Sequence, residues 1–155
     1  MGSHIDQGAE FAKLGGSVDG TAGEDASHTA DIIMRAREKI PHELITMSSD
    51  GNGSLPIWND KKEIVGIGTG DVGTDHAAVR ELVRNRGLAL ADAITMLTEN
   101  PARSLGLYPN KGLIAEGSDA DVLLLDDELN IDTVIANGRL YMQGKKLMYK
   151  PKFES

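Results

Sequence analysis

Apolar side chains recur at helical spacing in some stretches, gather into short solid runs in others, and so divide the chain. Phe11 and Leu14 share one side of a predicted helix over residues 5–14, which Gly15-Gly16 closes. Residues 17–22 predict a short strand. Polar residues 23–27 lead into a helix over 28–39 with Ile32, Ile33 and Ala36 as its inward stripe. Ile40-Pro41 ends it, because proline steers the preceding residue out of the helical region. Residues 44–48 form a solid apolar run rather than an alternating one, as a strand covered on both faces would. Strand, helix, strand in that order predicts a βαβ unit with a parallel sheet. A long polar loop with weak β character at 64–67 is expected across 51–73. Loops of that length are usually functional or disordered.

Thr74 or Asp75 can cap the next helix, which runs to about Asn85 with Val79, Leu82 and Val83 inward and Gly87 as its stop. Another helix is predicted over 90–98, with Ala93, Ile94 and Leu97 inward. Asn100-Pro101 opens a third, asparagine as the cap and proline at the first helical position, and Gly106 ends it. After Leu107 the pattern turns to strands. Val122-Leu123-Leu124-Leu125 reads as a buried strand. Residues 133–136 and 139–142 read as a hairpin about Asn137-Gly138, and 146–149 as a last strand. The fold class is therefore α/β for the first two thirds and β for the last, with the boundary at 107–110.

Composition narrows the partners. Over 155 residues, 40% hydrophobic and 26% charged content suits a folded domain. A formal net charge of -8 argues against a nucleic acid held through its phosphates. The absence of cysteine excludes disulfides, thiolate metal sites and a cysteine nucleophile. No apolar run approaches the roughly 18 residues of a membrane span, and the cytoplasm is the default location. Met1-Gly2-Ser3-His4 reads as the remnant of an expression tag, which would start the native sequence near Ile5, inside a helix.

Asp50 is the sharpest chemical signal. A carboxylate at the C-terminal end of a parallel strand stands where α/β barrels keep their active sites. There it can ligate a metal or accept a proton from metal-bound water; the plainer alternative is a turn carboxylate. Asp50-Gly51-Asn52-Gly53-Ser54 imitates the start of a calcium loop, but Leu55 and Lys61 occupy the positions that need glycine and glutamate. His28, His42 and His76 have no zinc-ligand spacing and read as surface or capping residues. Ser48, Ser49 and Ser54 lack the elbow of a serine nucleophile. Gly66-Ile67-Gly68-Thr69-Gly70 completes neither a dinucleotide fingerprint nor a P-loop.

Two stretches carry a family resemblance. Asn100-Pro101-Ala102-Arg103-Ser104-Leu105-Gly106-Leu107 is followed by Lys111-Gly112-Leu113-Ile114 and Gly117-Ser118-Asp119-Ala120-Asp121-Val122. Together they resemble the crossing from β/α barrel to small β domain at the end of amidohydrolase-superfamily metalloenzymes. Ser48-Ser49-Asp50-Gly51-Asn52-Gly53-Ser54 resembles the eighth-strand motif of bacterial isoaspartyl (β-aspartyl) dipeptidases. With Gly15-Gly16-Ser17-Val18-Asp19 as the seventh strand, the resemblance runs from Ile5 to Glu154.

The resemblance implies the C-terminal portion of a (β/α)8 TIM barrel, about strands seven and eight with flanking helices, over residues 5–108. It implies the C-terminal part of a small β-sandwich domain over 109–155, with 1–4 as the tag remnant. The implied reaction is hydrolysis of the β-linked bond of isoaspartyl dipeptides at a two-zinc centre. Asp50 would bind metal and shuttle the proton between the bridging hydroxide and the leaving amine; Ser54 would contact substrate. Gly51, Asn52 and Gly53 would shape the loop that brings Ser54 inward. Metal lowers the pKa of bound water to about 7, and a neighbouring carboxylate can take its proton.

The family's His-x-His, metal-bridging carboxylated lysine and later histidines have no counterpart in this chain, so an incomplete zinc centre and an inactive polypeptide are expected. Two other readings stand beside it. One is a related amidohydrolase acting on an N-acyl amide or a cyclic amide. The other is a non-catalytic assembly module. Strands seven and eight would lack barrel partners, and Val18, Leu44 and Ile45 would each forfeit burial worth about 1.5–3 kcal/mol. Exposed strand edges pair with other chains, so a homo-oligomer is expected.

Overall fold

The computed structural model describes residues 4–149; the expectations for 1–3 and 150–155 lie outside the described residues. Strands β1 (Val18–Thr21) and β2 (Ile45–Ser48) lie parallel, Val18 opposite Ile45 and Thr21 opposite Ser48. Parallel neighbours need a crossover, and α2 (Ala26–Arg37) supplies it. The Asp25 carboxylate starts that helix by accepting the His28 N–H at 3.0 Å. Helix α1 (His4–Ala12) precedes the unit, and α3 (Thr74–Arg84), α4 (Leu90–Thr95) and α5 (Glu99–Ser104) follow it.

The helices cover one face of the two strands. Ile33, Ile45, Met47, Leu82, Ala93 and Met96 form the buried core, with Val18 and Leu44 packed against it. Helix α2 approaches β1 at Gly20, where an added Cβ would lie 2.7 Å from Ile33 Cδ1. Any larger residue there would push the end of the Ile33 side chain aside. Of the three residues expected to forfeit burial, Ile45 is 1% exposed, and Val18 and Leu44 are partly buried against the same core. The opposite face of the strands is polar, carrying Asp19, Thr21, Thr46 and Ser48.

Two helix starts differ from expectation. Neither Thr74 nor Asp75 caps α3; Gly73 precedes it, and Asp75 lies in its first turn. Asn100 sits inside α5 rather than capping it. It is buried, and its Nδ2 donates to the carbonyls of His42 and Ile45, each at 2.8 Å. The side chain that reads as a cap instead ties α5 to the start of β2.

The expected long loop is mostly a hairpin. Strands β3 (Ser54–Trp58) and β4 (Ile64–Thr69) pair antiparallel, Ser54 opposite Thr69, with a bulge near Trp58. Asn59 builds the turn, its Oδ1 accepting the N–H groups of Lys61 and Glu63. The last sheet is antiparallel in the order β5 (Val122–Leu125), β6 (Ile131–Ala136), β7 (Arg139–Gln143), β8 (Lys146–Leu147). Asn137 and Gly138 take the positive φ values, 49° and 71°, that their tight turn needs. Strand β5 is not buried as its composition suggests: it is an edge strand, with Leu123 and Leu124 about half exposed. Among the described residues no helix is long and apolar enough to cross a membrane.

Candidate active site at the strand ends

The polar face of β1 and β2 is organised around Asp19. Its Oδ1 accepts the Thr46 hydroxyl at 2.7 Å and its Oδ2 the Ser48 hydroxyl at 2.6 Å. Thr46 stands opposite Asp19 in the ladder and Ser48 two residues on, so one carboxylate bridges two donors on the same side. Beyond Ser48 the chain turns sharply. Asp50 adopts φ 48° and Asn52 φ 60°, the left-handed region that aspartate and asparagine tolerate best among residues with side chains.

The base of the hairpin fixes that turn. The Gly53 N–H donates to the Asp50 carbonyl at 2.9 Å, the Asn52 N–H to the Gly70 carbonyl at 3.0 Å, and the Gly70 N–H to the Gly53 carbonyl at 2.9 Å. A Cβ on Gly70 would lie 2.5 Å from the Asp50 oxygen, so the close approach requires glycine. On the other side the Gly51 N–H donates to Ser49 Oγ at 3.2 Å.

Asp50 is exposed at the C-terminal end of β2, and its carboxylate has no ion pair or side-chain partner among the described residues. Ser54 is also exposed; it opens β3 opposite Thr69, and its hydroxyl makes no hydrogen bond among the described residues. The turn holds Asp50 and Ser54 at neighbouring points of one loop and joins neither to the other by a hydrogen bond.

Two further carboxylates belong to this end of the strands. Burial first, then the negative charge of Asp19 and of Asp50, pushes the Asp75 carboxyl above its ordinary value of 3.8, against a lowering hydrogen bond from Ser49. Asp75 Oδ1 is buried without a hydrogen-bond partner. Sequence reasoning assigned neither residue to the site. Asp19 is separated from the polar residues of its face by Gly20, which hides the alternation, and Asp75 carries the same signature as a helix cap.

The two zinc ions that the resemblance implies find only part of a binding set. His42 lies before β2, its Nε2 2.6 Å from Thr95 Oγ1; His76 Nε2 lies 2.7 Å from the Leu129 carbonyl; His28 is exposed on α2. Among the described residues no group of three or more histidines, cysteines or carboxylates is arranged to hold a metal ion. The described residues do not make up a two-zinc centre. A groove of about 530 Å³ between α4, α5 and β5 is a separate feature. It is lined by Leu97, Leu105, Leu107, Ile114 and Leu123, and at its rim Lys111 is paired to Asp119 and Asp121.

The amidohydrolase family matches residues 24–141. An L-hydantoinase of Paenarthrobacter aurescens is 32% identical over 113 residues, 69% of this chain and 24% of that protein. The human N-acetylglucosamine-6-phosphate deacetylase is 26% identical over 135 residues, 77% of this chain and 33% of that protein. Among solved structures, a β-aspartyl dipeptidase of Fervidobacterium islandicum AW-1 in complex with the dipeptide β-Asp-Leu superposes with a TM-score of 0.83 at 39% identity. That match covers 97% of this chain and 40% of the dipeptidase. The chain thus spans a quarter to two-fifths of the length of these relatives. The protein belongs to the amidohydrolase family.

Proposed function

We propose that this chain is the C-terminal portion of a β-aspartyl dipeptidase, with residues 5–108 in the barrel and 109–155 in a small β domain. The likeness to the Fervidobacterium enzyme along 97% of the chain supports the substrate class. The observation that carries the residue assignment is Asp50, a carboxylate without an ion pair among the described residues, held in a left-handed turn at the end of a parallel strand. In this reading Asp50 takes the proton of the attacking water as the β-linked carbonyl is hydrolysed and returns it to the leaving amine. Ser54, four residues on with its hydroxyl unpaired among the described residues, donates a hydrogen bond to the bound dipeptide. Zinc is the metal of this reading; Asp50 supplies one carboxylate ligand, and the other ligands are not among the described residues. The protein is a cytoplasmic homo-oligomer in the same reading.

A second reading follows from the hydantoinase and deacetylase relatives: hydrolysis of a cyclic amide or an N-acyl amide on the same framework. The two separate in one assay with added zinc, using β-Asp-Leu, a hydantoin and an N-acetyl amino sugar phosphate. The chain alone is expected to show no turnover above a zinc blank. A longer polypeptide that carries this chain behind a complete barrel is expected to cleave β-Asp-Leu. Preference for the hydantoin or the acetyl sugar would replace the dipeptidase reading, and turnover by the chain alone would refute the incomplete centre.

A further inference from the structure

The peptide that follows Asp50 is held by both of its polar groups. Its carbonyl accepts the Gly53 N–H at 2.9 Å, and its N–H, that of Gly51, donates to Ser49 Oγ at 3.2 Å. Gly51 is also wedged: an added Cβ would lie 2.4 Å from Val72 Cγ1 and 2.9 Å from Ser49 Oγ. Val72 belongs to the link between β4 and α3, so the turn is packed between Ser49 and the approach to α3.

A serine hydroxyl has one hydrogen to give. At Ser49 the oxygen already accepts from Gly51, and the hydrogen goes to the carboxyl of Asp75 in the first turn of α3. A line of hydrogen bonds thus runs from Asp75 through Ser49 to the peptide plane that sets ψ of Asp50. The turn into α3 is built by Asp71, whose Oδ1 accepts the Gly73 N–H at 2.8 Å and whose carbonyl accepts the Thr74 hydroxyl at 3.1 Å; Asp75 takes no part in it. A helix start favours negative charge, yet the surroundings of Asp75 disfavour it. The residue is half-buried, its Oδ1 has no hydrogen-bond partner among the described residues, and Asp19 and Asp50 bear on it with like charge. Carboxylates held against burial and repulsion gather at functional sites.

We propose that Asp75 is a positioning residue for the reaction: by taking the Ser49 hydroxyl it fixes the peptide between Asp50 and Gly51 and so aims the Asp50 carboxylate. The proposal rests on the dipeptidase reading of Asp50.

Two readouts test it, one of them free of activity. In the chain alone, the exchange rate of the Gly51 amide hydrogen, followed by NMR, reports the clamp. S49A and D75A are each expected to speed it several-fold, and neither changes the residues on either side of that amide. In the longer polypeptide with a complete barrel, both are expected to lower kcat for β-Asp-Leu by about tenfold and to leave KM within about twofold. The double variant is expected to lose no more than either single one, since both cut the same line. D75N keeps an oxygen for the Ser49 hydroxyl and is expected to recover most of the lost kcat. An unchanged Gly51 exchange rate or an undiminished kcat in D75A overturns the proposal. So does a double variant that multiplies the two losses, or a D75N as slow as D75A. A parent polypeptide that fails to cleave β-Asp-Leu counts against the dipeptidase reading instead, and the exchange rates then judge the clamp alone.

Discussion

Asp50 keeps a backbone conformation that few residues with a side chain adopt, at a cost of about 1–3 kcal/mol that the surrounding hydrogen bonds offset. Replacing it by asparagine preserves the turn and removes the proton acceptor. In a longer protein with measurable dipeptidase activity, D50N is expected to lower kcat by about 10²–10⁴-fold and leave KM nearly unchanged. An undiminished kcat would remove Asp50 from the chemistry. Gly70 tests the geometry rather than the charge. G70A sets a methyl 2.5 Å from the Asp50 carbonyl oxygen, and a loss of about 1–3 kcal/mol is expected in urea unfolding. G66A, whose new Cβ meets only Ile57 at 3.6 Å, is expected to stay within about 0.5 kcal/mol of the parent. The place of Asp50 at the end of a parallel strand could be read from the sequence because a carboxylate three residues past an apolar run stands out. The clamp around it could not, since Gly70 lies twenty residues downstream and acts through the atoms it lacks.

At the scale of elements, hydrophobic spacing placed α2, α3 and β2 within a residue or two of where they lie. It failed for the hairpin because Gly66 and Gly68 fill every second position of β4 and erase the alternation by which a strand is recognised. It failed differently at β5, where a solid apolar run signals burial but the strand lies at a sheet edge. Asn100 shows the limit of local rules. Asparagine before proline is a sound cap signal, yet the side chain is spent on two carbonyls more than fifty residues away in sequence. N100A removes the side-chain donor from both carbonyls, the buried one of Ile45 and that of His42, which keeps the Ile45 N–H. It is expected to cost about 1–3 kcal/mol in chemical denaturation, whereas the loss of a mere cap would lie at the lower end of that range.

For the whole molecule, two carboxylates give stability opposite dependences on pH. Lys145 first, then Asn130, holds the half-buried Asp126 carboxyl well below the usual carboxylate range. Its contribution is present above the unfolded value and is lost as pH falls through the depressed folded value. Asp75 is raised, so its contribution is present below 3.8 and is lost as pH rises through the folded value. At pH 7 D126N is therefore expected to lower Tm and D75N to raise it. The gain from D75N should fade as the solution is acidified toward pH 4, which thermal melts across that range would check. A Tm for D75N below the parent at pH 7 would mean that the Ser49 hydrogen bond outweighs burial and repulsion.

Strand β2 is gripped at its start by Asn100 and along its outer edge by the Met96 carbonyl, which takes the Met47 N–H at 3.0 Å. Only four residues long, it acts as a short tie rod with the Asp50 turn at its free end. A tug on that turn has little slack to take up before it reaches α4 and α5, the span that leads on to the antiparallel sheet. Substitutions in those two helices should therefore be felt in the aim of Asp50, even though none of their side chains is hydrogen-bonded to it among the described residues.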